Sequence, residues 1–177
     1  MRNVVLYIAA SIDGYIARKN GALDWLENLP NPDNTDHGYL DFLSDVDAIV
    51  MGRKTYNELI GFDIEWPYKG INSYIISSNT NLNILSPDTF LLNTDIEDFI
   101  KKLKLTGEKS IWLVGGGQLV SYFLNQNLID KIILSVAPVI LGEGIALFDS
   151  KTLETQWELE NVEKFNTGIV SLTYTKK

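Results

Sequence analysis

Three stretches of the chain are apolar at successive positions: Val4–Ala10, Ala48–Met51 and Ile111–Val114. A strand that is apolar on both faces belongs in a sheet covered on both sides, as parallel sheets are. Tyr74–Ile76, Phe90–Leu92 and Ile132–Val136 predict further strands. Between them the period changes. Ile96, Phe99, Ile100 and Leu103 recur at helical spacing, as do Leu119, Val120, Phe123 and Leu124. A helix is also expected from near Asp36, carrying Tyr39, Leu40, Phe42, Leu43 and Val46 inward, and another from Gly52 to Leu59. The stretch Leu29–Asp36, broken by Pro30 and Pro32, predicts a loop. Two alternating segments, Trp157–Glu163 and Ile169–Thr175, flank Asn166-Thr-Gly168 and predict an antiparallel hairpin. The pattern as a whole predicts an α/β fold of three layers: a mostly parallel mixed sheet, helices on both faces, and a C-terminal antiparallel hairpin. No linker or repeat divides residues 1–177, so one domain is expected.

Composition narrows the chemistry. At 45% hydrophobic residues the chain reads as an ordinary soluble domain, with no apolar run of membrane-spanning length. It contains no cysteine and one histidine, His37, which removes thiolate ligands, cysteine nucleophiles and histidine-rich metal sites. A net charge of −8 disfavours nucleic acid and anionic membranes as partners. A cytoplasmic enzyme for a small molecule is the expectation, and an anionic ligand would need a local basic patch.

Ile111-Trp-Leu-Val-Gly-Gly-Gly-Gln-Leu119 joins a buried strand through three glycines to a helix. Such a turn leaves amide groups unpaired at the positive end of a helix dipole, a geometry that suits phosphate. Gly115, Gly116 and Gly117 carry no Cβ to hold a ligand away. The dinucleotide fingerprint is not met, because Val120 stands where its third glycine would be. Gly52-Arg-Lys-Thr55 is a second glycine turn opening a helix, and Ser77-Ser78 follows a third strand end. In open α/β sheets ligands lie beyond the carboxyl ends of strands, where all three turns are expected.

Four motifs in order then carry a resemblance: Ser11-Ile-Asp-Gly-Tyr-Ile-Ala17, Met51-Gly-Arg-Lys-Thr-Tyr56, Val114-Gly-Gly-Gly117 and Pro138-Val-Ile-Leu-Gly-Glu-Gly144. The chain resembles the dihydrofolate reductase-like superfamily, and within it the reductase domain of riboflavin biosynthesis and its bacterial relatives. The resemblance implies hydride transfer from NADPH to a C=N or C=O bond of a pyrimidine- or pterin-like substrate, and a homodimer. It also implies a cis peptide between Gly115 and Gly116. The cofactor would be held by Gly52, Arg53, Lys54, Thr55, Ser77, Ser78, Val114, Gly115, Gly116, Gly117, Gln118 and Leu119.

Two carboxylates compete for the catalytic role. Asp13 is the substrate-side candidate of the riboflavin-type branch, or a turn residue before Gly14. Asp36 lies about where dihydrofolate reductases carry a carboxylate at a helix start, or is simply a helix cap. Ser135, polar within an apolar strand, is expected to support whichever acts. Trp25 is either a lid over the nicotinamide or a core anchor. Gly142 and Gly144 either wall the substrate pocket or make a tight turn, and His37 is expected at the surface. A true dihydrofolate reductase is the rival enzyme; an NADP-binding module without catalysis is the rival of another class. No Cys/His zinc signature is present for a deaminase.

Overall fold

The computed structural model describes residues 1–62 and 64–177. Its elements are β1 (Val4–Ser11), β2 (Tyr15–Ala17), α1 (Asp24–Glu27), α2 (Tyr39–Ser44), β3 (Val46–Gly52), α3 (Arg53–Gly61), β4 (Asn72–Ile76) and β5 (Thr89–Leu92). They continue with α4 (Ile96–Leu103), β6 (Ser110–Gly115), α5 (Gly117–Asn125), β7 (Lys131–Ala137), β8 (Ile145–Ala146), β9 (Trp157–Lys164) and β10 (Val170–Lys176). Eight strands form one sheet in the order β5-β4-β3-β6-β1-β7-β10-β9; β2 and β8 make a separate ribbon. Strands β1 and β3 to β7 run parallel, and the β9–β10 hairpin joins antiparallel to β7. Among the described residues no helix is long and apolar enough to cross a membrane.

The continuous apolar strands are buried from both sides. On one face Leu6, Val50 and Leu113 pack against Ile100 of α4 and Val120 and Phe123 of α5. On the other, Ile49, Met51, Ile75 and Trp112 pack against Tyr56 of α3, with Tyr39, Phe42 and Leu43 of α2 at the margin. Ile49, Leu113 and Phe123 are sealed completely, each contributing roughly 1.5–3 kcal/mol by burial. The Tyr7 ring stacks on Phe42 with centroids 4.3 Å apart, and Trp112 meets both rings edge-on.

Two expectations are corrected. Val46 belongs to β3, not to the preceding helix, and Leu40 is 65% exposed. α2 is only six residues long and offers the sheet a narrow stripe. The hairpin forms as expected, but β9 is an edge strand whose Leu159 and Val162 stay half exposed.

Candidate active site

The carboxyl ends of the parallel strands bring the glycine turns together. β3 pairs with β6, and between Val50 and Met51 the register slips so that Met51 lies opposite Gly115. This shift sets the two turns side by side. A Cβ on Gly52 would come 3.7 Å from the Gly115 carbonyl, and one on Gly116 would come 3.6 Å from Thr55 Oγ1. The Gly115–Gly116 peptide is cis. α3 and α5 both start on a glycine N-cap, with no side-chain cap and no acid in the first turn. Their leading amides lack intrahelical acceptors.

The neighbouring residues divide by environment. Arg53 and Lys54 are exposed, and among the described residues neither has an acidic partner, whereas Arg18 pairs with Asp24 and Lys19 with Glu143. Ile76 lies opposite Gly52 in the β3–β4 register, so Ser77 and Ser78 follow at the same edge. Ser77 Oγ accepts from Asn79 N at 3.0 Å, a local turn, while Ser78 is exposed. Gln118 is exposed; Val114 and Leu119 lie half-buried against opposite cores. Gly117 is required for a different reason. Its Cβ would lie 2.2 Å from the Ala146 carbonyl, so it admits β8 rather than a ligand.

Asp13 and Asp36 share no hydrogen bond. Asp13 accepts from Ser11 Oγ at 2.7 Å, from Leu141 N at 3.0 Å and from Gly142 N at 2.7 Å, which ties the Pro138–Gly144 segment to the end of β1. Those bonds, the Ser11 hydroxyl first, hold its carboxyl below the usual range. Asp36 accepts from Leu40 N at 2.9 Å and Gly38 N at 3.0 Å, which lowers it likewise. It caps α2. Gly142 turns with φ +75°, and Gly144 lets the chain cross Ala17 closely, its Cβ position being 2.3 Å from that carbonyl. Both serve the loop.

Trp25 is not a lid in this structure. It is 5% exposed, clustered with Ala137 and Ile169. His37 is half-buried: its Nε2 lies 3.0 Å from Thr167 Oγ1, and its ring meets Phe165 edge-on at 4.9 Å. Asn166 Nδ2 donates to Asp33 at 2.7 Å, so the hairpin turn is fastened to the loop before α2. Ser135 is buried on β7, opposite Ser171. Sequence reasoning missed Ser171, Glu163 and Tyr7, which share its side of the sheet. A phenol within the otherwise aliphatic run Val4–Ala10 was the one signal for Tyr7. Burial, then the charges of Asp36, Tyr39 and Glu163, push that phenol up to about 12.

The fold and the paired glycine turns define an α/β domain with two uncapped helix N-termini side by side at the carboxyl edge of its sheet. A model of the RibD C-terminal domain matches residues 2–171, and the chain belongs to that family. It is 34% identical to the uncharacterized protein YwjB of Bacillus subtilis (strain 168) over 174 residues, 95% of each chain. A crystal structure of a Shewanella sp. PV-4 protein, provisionally assigned to riboflavin biosynthesis, matches with TM-score 0.89 and 33% identity, covering 100% of this chain and 99% of that one. The Thermotoga maritima diaminohydroxyphosphoribosylaminopyrimidine deaminase/5-amino-6-(5-phosphoribosylamino)uracil reductase matches with TM-score 0.72 over 99% of this chain and 57% of its own. At 15% identity that is a likeness of fold.

Proposed function

We propose that this chain is an NADPH-dependent reductase acting on a C=N or C=O bond of a pyrimidine- or pterin-like small molecule. One observation carries the reading: two uncapped helix N-termini meet across adjacent strands, with unpaired Arg53 and Lys54 beside them. The residues fit the group. Glycines at 52 and 116 leave ordinary van der Waals space where side chains would otherwise stand. The amides opening α3 and α5 suit a pyrophosphate, and Arg53, Lys54 and Ser78 suit a 2′-phosphate.

When bound, NADPH supplies the hydride, so no nucleophile is asked of the protein. The chain's own residues bind, orient and exclude water. Gly115, Gly116 and Gln118 present backbone, and Thr55 stands across from Gly116. Asp13, which accepts from three donors, is a positioning group that ties the Pro138–Gly144 segment to the end of β1 rather than a proton shuttle. Membership of the RibD C-terminal domain family supports this reading at the level of a reductase-like domain.

Parallel titrations with NADPH and NADH test it. In a chain of net charge −8 a third phosphate group binds better only if a local positive site receives it. NADPH is expected to bind about tenfold or more tightly at low salt, and added salt should narrow the gap. Equal affinities would remove the reading. Loss of reduced-nicotinamide absorbance, screened against pyrimidines, pterins and dihydrofolate, then separates a reductase from a silent binding module.

A further inference from the structure

β4 and β5 run parallel, so residues 77–88 cross back from the carboxyl edge of the sheet to its amino edge. No helix forms in this crossover. Its Leu82 and Ile84 pack against the core cluster that holds Tyr56 of α3. At one end Ser77 N donates to Leu92 O at 3.2 Å. At the other, Asp88 accepts from Ser73 N and Gly70 N, each at 2.8 Å. Among the described residues, the hydrogen bonds of residues 79–84 are local, such as Asn81 N to Asn79 Oδ1 at 3.0 Å. Among the same residues, α3 is hydrogen-bonded to the crossover through one side chain, Tyr56.

Tyr56 is 1% exposed, and Trp66 meets its ring edge-on at 5.7 Å. Its hydroxyl accepts from Leu85 N at 2.8 Å and lies 3.2 Å from Ser86 Oγ. A hydroxyl has one proton to give. Thr89 gives its proton to Pro87 O at 2.8 Å, and Ser86 gives its proton to Thr89 Oγ1 at 2.8 Å. That leaves Tyr56 as the donor to Ser86. The phenol therefore accepts from one crossover residue and donates to the next, at the end of a chain of three hydroxyls. Arg53, three residues earlier, is its neighbour on the surface of α3.

We infer that Tyr56 is a positioning residue for nucleotide choice. Its hydroxyl sets the width of the gap between the first turn of α3 and the crossover, and with it the preference for a phosphorylated ribose. The inference rests on the NADPH reading, in which Arg53 and Lys54 stand on one side of that gap and Ser78 on the other. Hydrogen bonds weaken steeply away from their preferred geometry, so these groups serve one phosphate only while both sides are held in place. Packing of the ring does not supply this. A phenylalanine at 56 keeps the contact with Trp66 but leaves Leu85 N without its acceptor and Ser86 without its donor. The crossover is then free to move off α3 by rearrangement of local bonds.

Paired NADPH and NADH titrations of the wild type, Tyr56→Phe, Ser86→Ala and Asp95→Ala test the role. Tyr56→Phe should weaken NADPH about tenfold and NADH no more than about twofold. Ser86→Ala keeps the Leu85 bond and should weaken NADPH about threefold. If Tyr56→Phe fails to fold, Ser86→Ala carries the test. Asp95→Ala removes a helix cap outside the crossover and should leave the NADPH:NADH ratio unchanged, which separates positioning from loss of stability. Amide exchange at Leu85 should quicken in Tyr56→Phe. A wild-type ratio in both Tyr56→Phe and Ser86→Ala would overturn the inference and leave the cofactor reading standing, whatever the exchange at Leu85. A wild type with no preference for NADPH would remove the cofactor reading itself, and the inference with it.

Discussion

The start of α4 and the starts of α3 and α5 solve the same problem in opposite ways. α4 supplies its own partners: the Asp95 side chain accepts from Asp98 N at 3.1 Å, with Glu97 and Asp98 in the first turn. Its last turn carries Lys101 and Lys102, paired back to Glu97 at 2.5 Å and Asp98 at 2.6 Å. Everything the helix dipole asks for is in its own sequence. α3 and α5 start on Gly52 and Gly116 with no cap and no acid, and α3 opens with two cations. The difference separates a helix that only has to fold from two that leave their leading amides for something else.

The largest expected effect splits the three glycines of one turn. Gly117→Ala should lower stability by about 3 kcal/mol in urea melts, because its Cβ would press on the Ala146 carbonyl. Gly116→Ala, whose Cβ meets only Thr55 Oγ1 at 3.6 Å, should unfold like the wild type yet bind NADPH at least about tenfold more weakly. Equal stabilities for the two variants would erase the division between packing and cradle. Next in size is Arg53→Ala. It should cost NADPH roughly 1.5–3 kcal/mol of binding free energy and NADH much less, read from paired titrations. Equal losses would move the 2′-phosphate elsewhere.

Smaller effects belong to the other side of the comparison. Asp95→Ala should lower stability by about 1 kcal/mol and leave nucleotide affinity alone. A change in affinity would mean that α4 is coupled to the cradle. The smallest is a pH effect at Asp13, whose carboxyl is lowered in the fold by Ser11 and the Leu141 and Gly142 amides. A lowered carboxyl contributes stability above its unfolded value, lost as pH falls through the folded one. The stability gap between wild type and Asp13→Asn should therefore be present at neutral pH and shrink as pH falls below the ordinary carboxylate range. A gap that stays constant with pH would mean that those bonds do not need the charge.

Much of the sheet was legible because burial on both faces leaves continuous apolar runs, as in Val4–Ala10 and Ile111–Val114. The α4 and α5 periods were equally plain. β2 and β8, three and two residues long, are too short for any period to register and exist through the close crossing of Gly144 on Ala17. The glycine turns of the cradle announced themselves by composition, but the slip that sets Met51 beside Gly115 did not. Leu40 fits a helical stripe and still faces solvent, since spacing cannot tell how wide a face the sheet accepts. Trp25 had an open reading that only its packing against Ala137 and Ile169 decides. Ser135 stood out as a hydroxyl in an apolar strand, whereas its alignment with Ser171 and Glu163 is a fact of cross-strand register, which no single strand encodes.

The fastening of the hairpin turn to the loop before α2 has a consequence for how the protein is made. His37 meets Thr167 across 130 residues of chain, and Asn166 meets Asp33 across 133. Tyr7 and Asp36 leave the ribosome early, while Glu163 and Ser171 emerge only after most of the sheet has been synthesised. A nascent chain can therefore bring β3 and β6 together while the sheet still lacks β10 and β9. The two edges of the sheet are finished at different times, and the later one is closed by a latch that spans 133 of the 177 residues.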